Sequence, residues 1–133
     1  MVWMFFYIVY EVLVVHIFLK RYGFGETIKL YLEDLKNYNN ISGNLNFDQI
    51  KKIILLIDKV CFMFWGNAEC LHRSLVGFKI LRKQGVSVEL VVGVKKFPFS
   101  SHAWLELNNE VINDLTSIKD NYIEILRAGR ESN

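Results

Sequence analysis

At 133 residues, with 52% hydrophobic residues and a single proline, the chain is long enough for one apolar core and too apolar for a disordered segment. Its net charge of +2 comes from 16 basic and 14 acidic residues scattered along the sequence, with no basic stripe and no nucleic-acid motif, so nucleic acid is excluded as the expected partner. Cys61 and Cys70 are too few for a disulfide scaffold and too far apart for a common zinc pattern, so no metal or cofactor is expected and a reducing, cytoplasmic setting is the simpler one.

Residues 1–19 are apolar except for Glu11, His16 and the tyrosines, and Lys20 and Arg21 follow. No basic residue precedes the run and no small-residue cleavage site follows it, which argues against a secretory signal. Its length would allow a membrane span, but a glutamate near the centre of a span costs about 2–3 kcal/mol. Two expectations stay open: a helix packed on the domain or on a partner, or membrane association through residues 1–21. Beyond Gly23 and Gly25, the spacing of Ile28, Leu32 and Leu35 predicts another helix. The Asn-rich stretch 37–46 predicts a loop. Asn46 or Asp48 then caps a helix whose stripe is Ile50, Ile53, Ile54, Ile57 and Val60. The chain divides accordingly into an N-terminal apolar, helical region, 1–45, and a core, 46–133.

WGNAE interrupts the pattern, which restarts at Asn67, the predicted N-cap of a central helix carrying Leu71, Leu75, Phe78 and Leu81. Lys79, Arg82 and Lys83 load its last turns and Gly85 ends it. VSVELVVGV predicts a strand, FPFSS a loop, and HAWLEL with EVIND a hairpin around Asn108 and Asn109. Residues 119–128 predict a short final helix. The fold class is α+β: N-terminal helices, then a central helix laid on a small antiparallel sheet of three strands.

The chemistry lies in Cys70, His102 and Asp114, in the order of a thiol, a base and a carboxylate that orients the base. Cys70 falls in the first turn of the central helix, where backbone N–H groups and the helix dipole favour a thiolate and a developing oxyanion. His16 lies in the apolar N-terminus, and His72, two residues from Cys70, does not share its helix face. Asp114 depends on the hairpin. A two-residue turn at Asn108–Asn109 pairs it with Ala103, on the face away from His102. A three-residue connection or an equivalent bulge makes it the diagonal neighbour of His102. The triad therefore predicts the odd-length connection. With a regular two-residue turn, Asp114 loses the role and Asp120 and Glu106 become the next candidates.

CLHRSLVGFKILRKQGVSVELVVGVKKFPFSSHAWLELNNEVIND resembles the transglutaminase-like superfamily and, within it, the stand-alone leader peptidases of lasso-peptide biosynthesis. The resemblance covers residues 67–126 and rests on the joint occurrence of a Cys–Leu–x–Arg–Ser–Leu helix, Pro–Phe, His–Ala–Trp and Asn–Asp. It implies a papain-like cysteine peptidase with Cys70 as nucleophile, His102 as base and Asp114 as orienting acid. It further implies three partners: a lasso-peptide precursor recognised through its leader, a separate leader-recognition protein, and an ATP-dependent lasso cyclase. Transglutaminase-type acyl transfer and a non-catalytic peptide-binding module of the same fold are the alternatives. Arg73 and Ser74 read as helix-stabilising or packing residues and Trp104 as core, while Trp65 and Asn67 are candidate oxyanion donors.

Overall fold

In a computed structural model, which describes residues 2–36, 43, 45–65 and 70–129 (Trp65 and Cys70 by their backbone), helix α1 (Val2–Leu35) is broken at Gly23. Gly23 has φ 78° and ψ 176°, a conformation open to glycine and costly for other residues. The two halves fold back on each other. The rings of Phe18 and Tyr31 lie 6.2 Å apart, whereas a straight helix would separate the two residues by about 20 Å.

Lys79 of α3 (Cys70–Lys83) joins both halves, with its Nζ 2.7 Å from Glu11 Oε2 and 5.0 Å from the centre of the Tyr31 ring. This pair explains the glutamate in the apolar run: Glu11 is 2% exposed and lies on the same buried stripe as Ile8, Val12 and Val15. The opposite face, Trp3, Phe6, Tyr10, Leu13 and Ile17, is exposed. By length and composition α1 is apolar enough to cross a membrane, while its inner face is tied to the domain by the Glu11–Lys79 pair. Burial first, then the charges of Glu11 and Asp34, raise the Tyr31 pKa, so its hydroxyl stays neutral.

Of the two candidate caps for α2 (Phe47–Trp65), Asn46 serves. Its Oδ1 accepts the Gln49 N–H at 2.8 Å and the Gln49 side chain accepts the Asn46 N–H at 2.9 Å, a reciprocal capping box. The predicted cap Asn67 lies outside the described residues. At the other end of α3, Gly85 adopts φ 84° and Val86 N–H reaches back to the Leu81 carbonyl at 2.9 Å, a Schellman ending.

The sheet has four strands, β1 (Glu89–Lys95), β2 (Ser100–Leu107), β3 (Glu110–Val111) and β4 (Ile123–Ala128), in the order β3-β2-β1-β4 and antiparallel throughout. The final helix expected over 119–128 is a misreading: α4 (Ile118–Asn121) is a single turn, and the rest is β4. β1 is central and needs a backbone partner on its second edge, a demand that local helical spacing does not contain. The strand pattern is blurred further by an irregularity, in which Val92 pairs with Leu126 but Gly93 with Glu124, leaving Ile125 out of the ladder.

By strand alternation, Leu90, Val92, Ala103 and Leu105 join α1, α2 and α3 in the main core, and Val91, Trp104 and Val111 form a smaller cluster with Ile118 and Tyr122 on the other face. Replacing Lys79 by Met would leave Glu11 buried without its counter-charge. Urea denaturation should show a loss of about 3–5 kcal/mol, with much of it recovered in Glu11→Leu/Lys79→Met. Equal stability of the single variant and the wild type would contradict a stabilising role for the pair.

Candidate active site

One face of α3 lies along β2. Ser74 Oγ donates to the Ala103 carbonyl at 3.0 Å, and a Cβ on Gly77 would stand 2.7 Å from Leu105 Cδ1. Positions 70, 73, 74 and 77 share this helical face. Going back from Ser74 to Cys70, the first residue of α3, is about 6 Å of helix, close to the rise of two strand residues. The N-terminal end of α3 therefore comes level with Ser101 and His102 of β2.

The β2–β3 turn is the two-residue Asn108–Asn109, with φ 52° and 68° and Leu107 paired to Glu110, as in a type I′ hairpin. The three-residue connection expected from the triad is thus corrected. The exclusion of a His102–Asp114 contact that was tied to a two-residue turn also fails, because it assumes that the ladder continues. Strand β3 stops at Val111. Ile112 N–H still donates to the Leu105 carbonyl at 3.0 Å, but Leu105 N–H donates to Asn113 Oδ1 at 2.8 Å instead of to a backbone carbonyl. The Asn113 amide in turn donates to Ser74 Oγ at 3.0 Å. This buried link pulls residues 112–114 around the edge of β2, and Asp114 arrives beside His102.

His102 Nε2 lies 2.6 Å from Asp114 Oδ2. The same oxygen is 3.5 Å from Arg73 Nη2, and Leu115 N–H donates to Oδ1 at 2.7 Å. One carboxylate thus joins His102 to the first turn of α3, although alternation along β2 turns Ala103 and Leu105, not His102, toward that helix. Burial pushes the Asp114 pKa up, but the His102 and Leu115 hydrogen bonds and the charges of His102 and Arg73 outweigh it and hold the carboxyl below its usual range. Arg73 also reaches Asp58 Oδ1 of α2 at 3.3 Å. Asp58 is shifted the other way, mainly by burial and against the lowering effect of Arg73.

Aromatic rings flank the histidine, Tyr122 at 5.5 Å and Trp104 at 6.4 Å between centroids. Gly93, paired with His102 across the sheet, makes room for them: a Cβ there would stand 2.8 Å from the Trp104 ring and 2.9 Å from Tyr122 Cβ. Trp104 is buried, as expected of a core residue, and also stacks on His102.

The remaining candidates are placed elsewhere. Glu106, two positions beyond Trp104 and about 13 Å along the strand from His102, accepts Trp104 Nε1–H at 2.8 Å and pairs with Arg127 at 3.2 Å and Lys119 at 3.4 Å. Burial raises its pKa, but those hydrogen bonds and charges win and hold it low. Asp120 is exposed on α4. His72 is buried, with Nε2 3.2 Å from His16 Nδ1 of α1. Among the described residues no group of three or more His, Cys, Asp or Glu is arranged to hold a metal ion. Sequence reasoning missed the contacts of Arg73 and Asn113. The available signal was that Arg73 and Ser74 lie one turn beyond Cys70, on the same face.

Two measurements check this arrangement. Gly93→Val should cost about 1–3 kcal/mol by forcing the rings off His102, and an unchanged melting temperature would contradict the close approach. Glu106→Gln should lose about 1.5–3 kcal/mol at neutral pH. The folded pKa of Glu106 is depressed, so its stabilisation is present above the unfolded carboxylate pKa of about 4.3 and disappears as the pH falls through the folded value. The gap between variant and wild type should accordingly close as the pH falls below the unfolded carboxylate value and through the folded one, and a gap independent of pH would contradict the assignment.

Comparison with known proteins supplies the family. A stretch of 54 residues, 41% of this chain, is 38% identical to the microcin J25-processing protein McjB of Escherichia coli. That stretch amounts to 26% of the relative, so the match spans about a quarter of the relative's length. No solved structure matches. Residues 39–127, more than half of the chain and including α2, α3 and the sheet up to the penultimate residue of β4, match the model of the transglutaminase-like superfamily, and the protein belongs to that superfamily.

Proposed function

We propose that the protein is a cysteine peptidase that removes the leader from a ribosomally synthesised lasso-peptide precursor. The observation that carries this is the His102–Asp114 contact, set at the edge of β2 level with the end of α3 that opens with Cys70. Membership of the transglutaminase-like superfamily and the likeness to a protein named for processing microcin J25 support it.

In this mechanism Asp114 holds Nε2 of His102, so Nδ1 takes the proton of the Cys70 thiol. The N–H groups at the start of α3 favour the thiolate. The sulfur attacks the carbonyl carbon of the scissile peptide bond, and the same N–H groups stabilise the developing oxyanion. Collapse breaks the C–N bond, the imidazolium gives its proton to the leaving amine, and a thioester remains. Water, deprotonated by His102, then hydrolyses the thioester and restores the thiol. No cofactor is needed for these steps. A separate recognition protein binds the leader and presents the precursor, and an ATP-dependent cyclase acts on the freed core, all in the cytoplasm.

The test is cleavage of the cognate precursor, with the leader-recognition protein present, followed by intact mass. Wild type should cut once, folded Cys70→Ala should not cut, and Asp114→Asn should lower kcat by about 10²–10⁴-fold. Equal cleavage by wild type and Cys70→Ala would sink the proposal, as would no cleavage by a folded wild type with its partner. A product carrying an added amine in place of water would identify acyl transfer instead.

A further inference from the structure

Arg73 stands where α2, α3 and the segment after β3 meet. Its side chain is 16% exposed, and its guanidinium reaches Asp58 Oδ1 through Nη1 at 3.3 Å and Asp114 Oδ2 through Nη2 at 3.5 Å. Its buried Nε has no hydrogen-bond partner among the described residues, so the two carboxylates are the polar groups that hold the fork. We propose that Arg73 is a positioning residue of this site, fixing the Asp114 carboxylate against His102 and, through Asp58, setting from α2 the charge felt at the Cys70 end of α3. This deepens the peptidase reading and rests on it.

The charges give the reason for three groups. Asp114, in direct contact with the imidazole, favours the imidazolium that a thiolate needs as its partner. Arg73 beyond it adds a positive charge at the first turn of α3 that favours the thiolate, and Asp58 offsets part of that charge. A fork is required because two carboxylates from different elements must be held at once, and a lysine ammonium lacks the planar geometry for it. Among the described residues, the charged and titratable groups in contact with Arg73 are Asp58 from α2 and Asp114 after β3, with His102 of β2 reached through Asp114. His72, its neighbour along α3, contacts His16 of α1.

The sign of the electrostatic effect separates positioning from mere packing. Removing a cation raises nearby pKa values, and removing an anion lowers them. The rate of alkylation of Cys70 by iodoacetamide, followed against pH with the labelled residue located by mass, reports thiolate formation and needs neither precursor nor partner. Arg73→Gln should move the midpoint to higher pH and Asp58→Asn to lower pH, each by on the order of half a unit. Arg73→Lys should restore part of the shift. The pH profile of precursor cleavage should move in the same directions. Unmoved midpoints in both variants, or shifts of the same sign, would overturn the proposal. If Arg73→Gln does not fold, Asp58→Asn with its acid shift carries the test alone. Shifts of opposite sign in an alkylation-competent protein that never cleaves precursor would uphold the electrostatic coupling and sink only the peptidase assignment.

Discussion

Once β3 ends at Val111, the N–H of Leu105 has no strand carbonyl to meet, and a buried N–H left alone costs about 1–3 kcal/mol. Asn113 supplies the partner, and its amide group then binds Ser74 on α3. Ser74 closes the circuit on the Ala103 carbonyl, so one polar chain links the edge of β2, the segment after β3 and the helix. Every member is buried, which gives the link its strength and its directionality. The contact between His102 and Asp114 is a consequence. Asp114 follows Asn113 directly, and wherever Asn113 is fixed, Asp114 is delivered to the bare edge of β2.

Two separate charge systems surround this link. On the site side, Asp58, Arg73, Asp114 and His102 run from α2 across α3 to β2. On the far side, Glu106 is held by Trp104, Lys119 and Arg127, and Arg127 also binds Glu89 and Glu124. The second system pins β4 and α4 to the sheet and builds the floor on which Trp104 and Tyr122 stand beside His102. The two systems keep the carboxylates apart: Asp114 touches His102, while Glu106, about 13 Å along the strand, is held by Trp104, Lys119 and Arg127.

The N-terminal helix shows how one pair of charges changes the meaning of an apolar run. Taken by hydropathy, α1 is a candidate span. Folded back at Gly23, it places Glu11 against Lys79 and buries the stripe of Ile8, Val12 and Val15 in the main core. The charge that would be unfavourable in a bilayer is the one that attaches the helix to the domain.

The sequence by itself determined the α+β class, the helical stripes of α2 and α3, the Asn46 or Asp48 start and the Gly85 stop, because caps, glycines and periodicity act within a few residues of where they are written. It also determined the residue types of the candidate site, since His102 and Asp114 flank a recognisable hairpin and Cys70 lies near a helix start. Only the tertiary structure decided that residues 123–128 are a strand, because the demand came from the open edge of β1, some thirty residues away. It also decided that a two-residue turn is compatible with the His102–Asp114 contact, because a side-chain amide replaced a backbone carbonyl and ended the register from which the sequence argument counted. Arg73 was legible as a residue one turn beyond Cys70, but its partners Asp58 and Asp114 lie on other elements, and contacts of that kind are set by packing and not by spacing along the chain.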